Sequence, residues 1–157
     1  MKVTFVDTSV LLELLEVPGK AQQAAPIQAE FRERVSAGER FVIPITAVIE
    51  TGNHIAQARD GALRRQAAVR LVELLRGAII GQAPYVLNQV AWDDGFLEAL
   101  CGGDSTAMDF ITLAGTGLLG AGDVAVLVER DRFVDGSALS RQDVRIWTLD
   151  QELMAHA

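Results

Sequence analysis

The chain has 157 residues, half of them hydrophobic, and a formal net charge of −7. That length points to one domain spanning residues 1–157, since a chain of this size buries roughly 70% of its unfolded surface and needs no staples. No apolar run reaches the ~18 residues of a membrane helix. The acidic balance argues against a protein that coats nucleic acid electrostatically. It leaves a nuclease open, because divalent cations would cancel the charge of a site built from carboxylates.

Residues 2–6, Lys-Val-Thr-Phe-Val, read as a short buried strand. Their apolar stretch ends at Asp7, too early for a signal peptide, so a cytoplasmic protein without a membrane partner is expected. Asp7-Thr8-Ser9 offers three N-cap residues for a helix through Leu15, which Pro18-Gly19 ends. Residues 21–38 predict a second helix with Ala25, Ile27, Phe31 and Val35 on its apolar stripe. Phe41-Val42-Ile43-Pro44 is the second strand, and Thr46 is the natural cap of a helix carrying Glu50. Gly61 marks a break before an amphipathic helix over 62–77, with Ala67, Ala68, Leu71, Leu74 and Leu75 on one side. Arg59, Arg64, Arg65, Arg70 and Arg76 fall in this region, and only Lys2 and Lys20 among the 14 basic residues are lysines. Such arginines suit phosphate contacts or ordinary solvated helix faces.

Residues 85–90 predict a third strand and Trp92–Leu100 a helix. Cys101 is the lone cysteine, which excludes an internal disulfide and a thiolate metal cluster. Following Phe96-Leu97-Glu98-Ala99-Leu100, it is expected to be a buried thiol, and Trp92 and Trp147 are expected in the core. Six glycines fall between 101 and 122, around a short helix at 110–114. The valines of Asp123-Val124-Ala125-Val126-Leu127-Val128-Glu129 favour a strand on propensity alone. Val144–Trp147 is the last strand, and Thr148-Leu149-Asp150 caps a short final helix. Strands alternating with helices imply an α/β fold, a three-layer α/β/α sandwich around a parallel sheet of about four strands.

In such a sheet, ligands bind beyond the carboxyl ends of the strands. Asp7 and Asp150 lie at or just past the ends of the first and last strands. Glu50 lies one turn into the helix after the second. With Asp123, four carboxylates from distant segments could converge at one edge, because crossovers return every strand end there. Their mutual repulsion would cost several kcal/mol and raise some of their pKa values, so a counter-charge is expected. All-oxygen ligands select Mg²⁺ or Mn²⁺. Taken singly, each aspartate reads as a helix cap and Glu50 as a surface carboxylate. His54, one turn beyond Glu50, reads as a partly exposed side chain or a contact to substrate.

The ordered set carries a resemblance. Val6-Asp7-Thr8-Ser9-Val10-Leu11 resembles the opening motif of PIN-domain ribonucleases. Ile43-Pro44-Ile45-Thr46-Ala47-Val48-Ile49-Glu50 resembles their second motif, Gly122-Asp123-Val124-Ala125 their third and Trp147-Thr148-Leu149-Asp150 their fourth. The match spans almost the whole chain, although the glycine-rich stretch before Asp123 is long. The resemblance implies that Asp123 begins a helix, against propensity. It also implies that Asp7, Glu50 and Asp123 bind one or two Mg²⁺ or Mn²⁺ ions, with Asp150 binding a second ion or orienting water. Thr8, Ser9 and Thr148 would support these ligands through their hydroxyls. The activity implied is metal-dependent endoribonucleolytic hydrolysis, with RNA as substrate and a homodimer as the assembly. Many members are toxins neutralised by a small antitoxin protein. The rival reading is a PIN-like module that binds protein or RNA without catalysis.

Other acid-bearing folds fit less well. A haloacid-dehalogenase-type phosphatase needs a second aspartate where Ser9 stands. The acidic pair and phospho-acceptor of a receiver domain are missing, and so is a GxxxxGK[ST] phosphate loop.

Overall fold

The computed structural model describes all residues, 1–157. Four strands form one all-parallel sheet: β1 (Val3–Val6), β2 (Arg40–Val42), β3 (Tyr85–Val86) and β4 (Val144–Trp147), in the order β3-β2-β1-β4. Eight α-helices connect and flank them: α1 (Thr8–Leu14), α2 (Ala24–Ser36), α3 (Ile45–Gln57), α4 (Gly61–Ile79), α5 (Asp94–Gly102), α6 (Phe110–Gly115), α7 (Ala121–Asp135) and α8 (Gln151–Met154). The result is a three-layer α/β/α fold. No helix is long and apolar enough to cross a membrane.

Alternation along the strands divides the core in two. Val3 and Phe5 of β1, Val42 of β2, and Val144 and Ile146 of β4 face a core completed by α5 to α8. Val6, Phe41 and Trp147 face the opposite core, completed by α1 to α4. Every residue of β1 is buried, as expected of a central strand covered on both faces. Chain order reverses at β1: β2 and β3 lie to one side and β4 to the other. The crevice between the ends of β1 and β4 is therefore the switch point where open α/β sheets bind ligands.

Residues 124–130 form a helix, as the motif reading implied against propensity. Val124 through Arg130 are all buried in α7. The stretch Val124–Val128 is apolar on every side and needs neighbours all round, and α7 packs against α3, α5, α6 and β4. Four other expectations are corrected. The third strand is only Tyr85–Val86, because it is an edge paired with β2 alone and Leu87 is already exposed. Pro44, not Thr46, is the N-cap of α3, and the Thr46 hydroxyl is buried without a partner. Cys101 is exposed rather than buried. Phe96 points α5 into the core with Ala99 and Leu100 beside it, and Cys101, five residues on, turns outward. Trp92 is half exposed on the loop before α5, stacked on Phe96 at 5.3 Å. Trp147 is buried as expected, beneath the Arg34 guanidinium.

Two of the arginines of the α4 region, Arg64 and Arg70, bond to nearby backbone. Arg70 donates to the carbonyls of Leu15 and Glu16, and Arg64 to that of Ala58. Among the glycines of 101–122, Gly103 is required where it stands. Its φ of +80° caps α5, and a Cβ there would strike the Met108 carbonyl.

Candidate active site

β1 delivers Asp7 to the carboxyl edge of the sheet, where it caps α1. Asp7 is buried, and one of its oxygens takes all the protein donors. Oδ2 accepts from the Ser9 amide at 3.2 Å, the Ser9 hydroxyl at 2.6 Å and the Thr148 hydroxyl at 2.8 Å. Oδ1 is left without a protein donor. The same hydroxyls tie β4 to α1: the Leu149 amide donates to Ser9 Oγ at 2.9 Å, and the Asp150 amide to Thr148 Oγ1 at 3.0 Å. Ser9 and Thr148 thus orient Asp7 and lock the crevice at the switch point.

The other three acids repeat the pattern. Asp150 caps α8 with Oδ1, which accepts from the amides of Glu152 and Leu153, and its Oδ2 is uncommitted. Asp123 accepts the Gly120 amide on Oδ2 at 2.9 Å and keeps Oδ1 uncommitted. Asp123 is the third residue of α7 rather than its first, and Gly120 is the cap. Glu50 accepts from the Thr8 hydroxyl on Oε2 at 2.7 Å. Its Oε1 lies against Gly122, in space that a Cβ at position 122 would occupy. A Cβ at position 122 would push the flexible end of Glu50 aside, so glycine there leaves the carboxylate where it stands.

Asp123 feels the other three acids. Burial pushes the Asp123 carboxyl above the usual range, the Gly120 amide opposes this, and the charges of Asp7, Asp150 and Glu50 each raise it further. Repulsion was the expected cause; burial is the larger one. No cation offsets the charge, since none of the five ion pairs of the protein involves any of the four. As placed, however, no three acidic side chains stand close enough to grip one ion. The donor set fits a hard divalent cation in chemistry and charge. It is not a closed cage.

His54 is half-buried on α3, and its Nδ1 is enclosed without a partner. No hydrogen bond joins it to Glu50. Sequence reasoning passed over Glu129, which is 3% exposed on α7. Burial pushes its carboxyl up to about 7, against the lowering effects of the Asn88 amide at 3.1 Å and the Ile45 N–H. The signal was present in the chain: a glutamate closing a run of valines that had to be buried.

Set beside known proteins, the chain matches no family model, no curated protein and no solved structure.

Proposed function

We propose that this chain is a Mg²⁺- or Mn²⁺-dependent ribonuclease of the PIN-domain type, hydrolysing RNA phosphodiester bonds at the acidic crevice. The observation that carries the reading is the gathering of Asp7, Glu50, Asp123 and Asp150 at the switch point of a parallel sheet. Each bonds to the protein through one oxygen and keeps the other uncommitted, with no cation nearby. A bound cation would offset the charges of Asp7, Glu50 and Asp150 that act on the half-buried Asp123.

Asp7, Glu50 and Asp123 are the residues that would hold the ion, with Asp150 at the rim for a second ion or a water. When bound, the metal supplies a water of lowered pKa and stabilises the leaving oxygen. The remaining work belongs to the chain. Ser9 and Thr148 fix the Asp7 carboxylate so that Oδ1 is presented. Thr8 holds Glu50, and the Gly120 amide holds Asp123. Such outer hydrogen bonds set ligand orientation and basicity.

A second reading, a PIN-like module binding protein or RNA without catalysis, is favoured by one observation: no three acids converge tightly enough to hold an ion. Single-stranded RNA incubated with the purified chain and Mn²⁺ or Mg²⁺ separates the two. The enzyme reading expects divalent-dependent cleavage that EDTA abolishes and that Asp7→Asn lowers by roughly two orders of magnitude or more. Undiminished cleavage by a contaminant-free Asp7→Asn preparation would sink it. A cytoplasmic address, a homodimer and a small antitoxin partner belong to the same proposal. Light scattering that finds only monomer would remove the homodimer.

A further inference from the structure

A cavity of about 430 Å³ opens beyond the ends of β2 and β3, beside the acidic crevice rather than in it. Its walls are apolar, with Ile45, Val48, Leu75, Ile79 and Val86 among them and Trp92 at the rim. Only Asn88 and Glu129 are polar, and they are bonded to each other, Asn88 Nδ2 donating to Glu129 Oε1 at 3.1 Å. No cation pairs with Glu129, and no other ionisable side chain lines the cavity. The volume lies in the ~300–1,000 Å³ range of small-molecule sites, and the lining has their character, mostly apolar with a few placed polar groups.

The chemistry of those two groups narrows the occupant. Asn88 Oδ1 has no partner, and Glu129 once ionised accepts on both oxygens, so at mildly alkaline pH the pocket asks for N–H donors. A purely apolar guest would bury the carboxyl without satisfying it. A hard metal ion would need more oxygens than two side chains supply, and a phosphate would be repelled. A flat body with apolar faces and a donor edge meets every wall. An unstacked nucleobase is such a body, held by stacking on aromatic side chains and hydrogen bonds to its edge.

We propose that this cavity is a nucleobase subsite for single-stranded RNA, with the base against Trp92 and the apolar walls and its donor edge on Glu129 and Asn88. Guanine, which carries adjacent ring and exocyclic N–H donors, is the best-matched base. The proposal rests on the reading of RNA as substrate. It is supported by position as well as lining. α7 carries both Asp123 and Glu129, six residues or ~9 Å apart along the axis. α3 carries Ile45 and Val48 as well as Glu50. The two helices pack together, so crevice and cavity share a frame at one edge of the sheet. A strand cut at the crevice would have a neighbouring base within reach of the pocket.

The test is equilibrium titration of the metal-free full chain, at mildly alkaline pH, with guanosine, adenosine, cytidine and uridine, read by calorimetry and by tryptophan fluorescence. Trp92 is the exposed reporter, and Trp92→Phe should remove the fluorescence change. Guanosine should bind at millimolar or lower concentration, at least about tenfold tighter than uridine. Glu129→Gln should weaken guanosine about tenfold or more, Asn88→Ala should weaken it independently, and Asp7→Asn should leave it unchanged. Each variant is checked for an unaltered far-UV spectrum. No heat or fluorescence change with any nucleoside would overturn the proposal, as would equal affinity in Glu129→Gln and Asn88→Ala, or a dimer that buries Trp92. Guanosine binding without RNA cleavage would keep the pocket and remove the enzyme. Divalent-dependent cleavage without nucleoside binding would do the reverse.

Discussion

Replacing Glu129 by glutamine should make the protein more stable at neutral and alkaline pH, and by an amount that depends on pH. In the folded chain Glu129 is 3% exposed in an apolar setting, which raises its carboxyl from an ordinary 4.5 to about 7. The sign follows from proton binding. Below pH 4.5 both folded and unfolded states hold the proton, and the group costs nothing. Between 4.5 and 7 the unfolded state releases it and the folded state keeps it, so stability falls as pH rises. Above 7 the folded state must bury the charge, and the loss is complete. At ~1.4 kcal/mol per pH unit, the rise corresponds to about 3 kcal/mol. Glutamine cannot ionise, and its carbonyl can still accept the Asn88 amide. Urea unfolding of both proteins at pH 5, 6, 7 and 8 should give a stability difference that grows in favour of Glu129→Gln and levels off near pH 8. In melting temperature the plateau is about 6–12 °C for a chain of this size. A difference that stays flat from pH 5 to 8 would show that Glu129 is not held in its uncharged form, and the burial argument would fail.

Gly122→Ala should lower metal-dependent cleavage a few-fold to about tenfold with the fold intact by circular dichroism, because the new Cβ moves the flexible end of Glu50 from its place. Equal cleavage by the alanine variant would mean that Glu50 is not needed where it stands. Mn²⁺ at ~100 times its dissociation constant should stabilise the wild type by roughly 2.7 kcal/mol, with a smaller gain in Asp7→Asn. Thermal melts with equal metal responses would remove Asp7 from the ligand set. Cys101 should react with a thiol reagent in the native protein, and Cys101→Ser should change stability by no more than about 0.5 kcal/mol. Slow labelling that requires denaturant would place the thiol inside.

Much of the frame follows from the chain alone. Val3–Val6 can only be a strand buried on both faces, and the alternation of strands with amphipathic helices dictates a parallel sheet. The aspartates at strand ends were legible because a cap and a strand-end carboxylate are local features: Asp7 and Asp150 do cap α1 and α8. Helix 121–135 was legible only through its motif, since its valines speak for a strand and burial on every side overrides them. What the chain could not disclose is which apolar residues lack a neighbour. Cys101 faces outward because α5 turns Phe96 inward, and Trp92, on the loop before α5, covers Phe96 from the solvent side. The run of valines before Glu129 signalled its burial but not its setting, which β3, α3 and α4 make from far along the chain. Propensity, caps and periodicity act within a few residues and can be read in order. Desolvation, pocket walls and the mutual charge of Asp7, Glu50, Asp123 and Asp150 arise between segments up to 143 residues apart, and only the folded sheet brings them together.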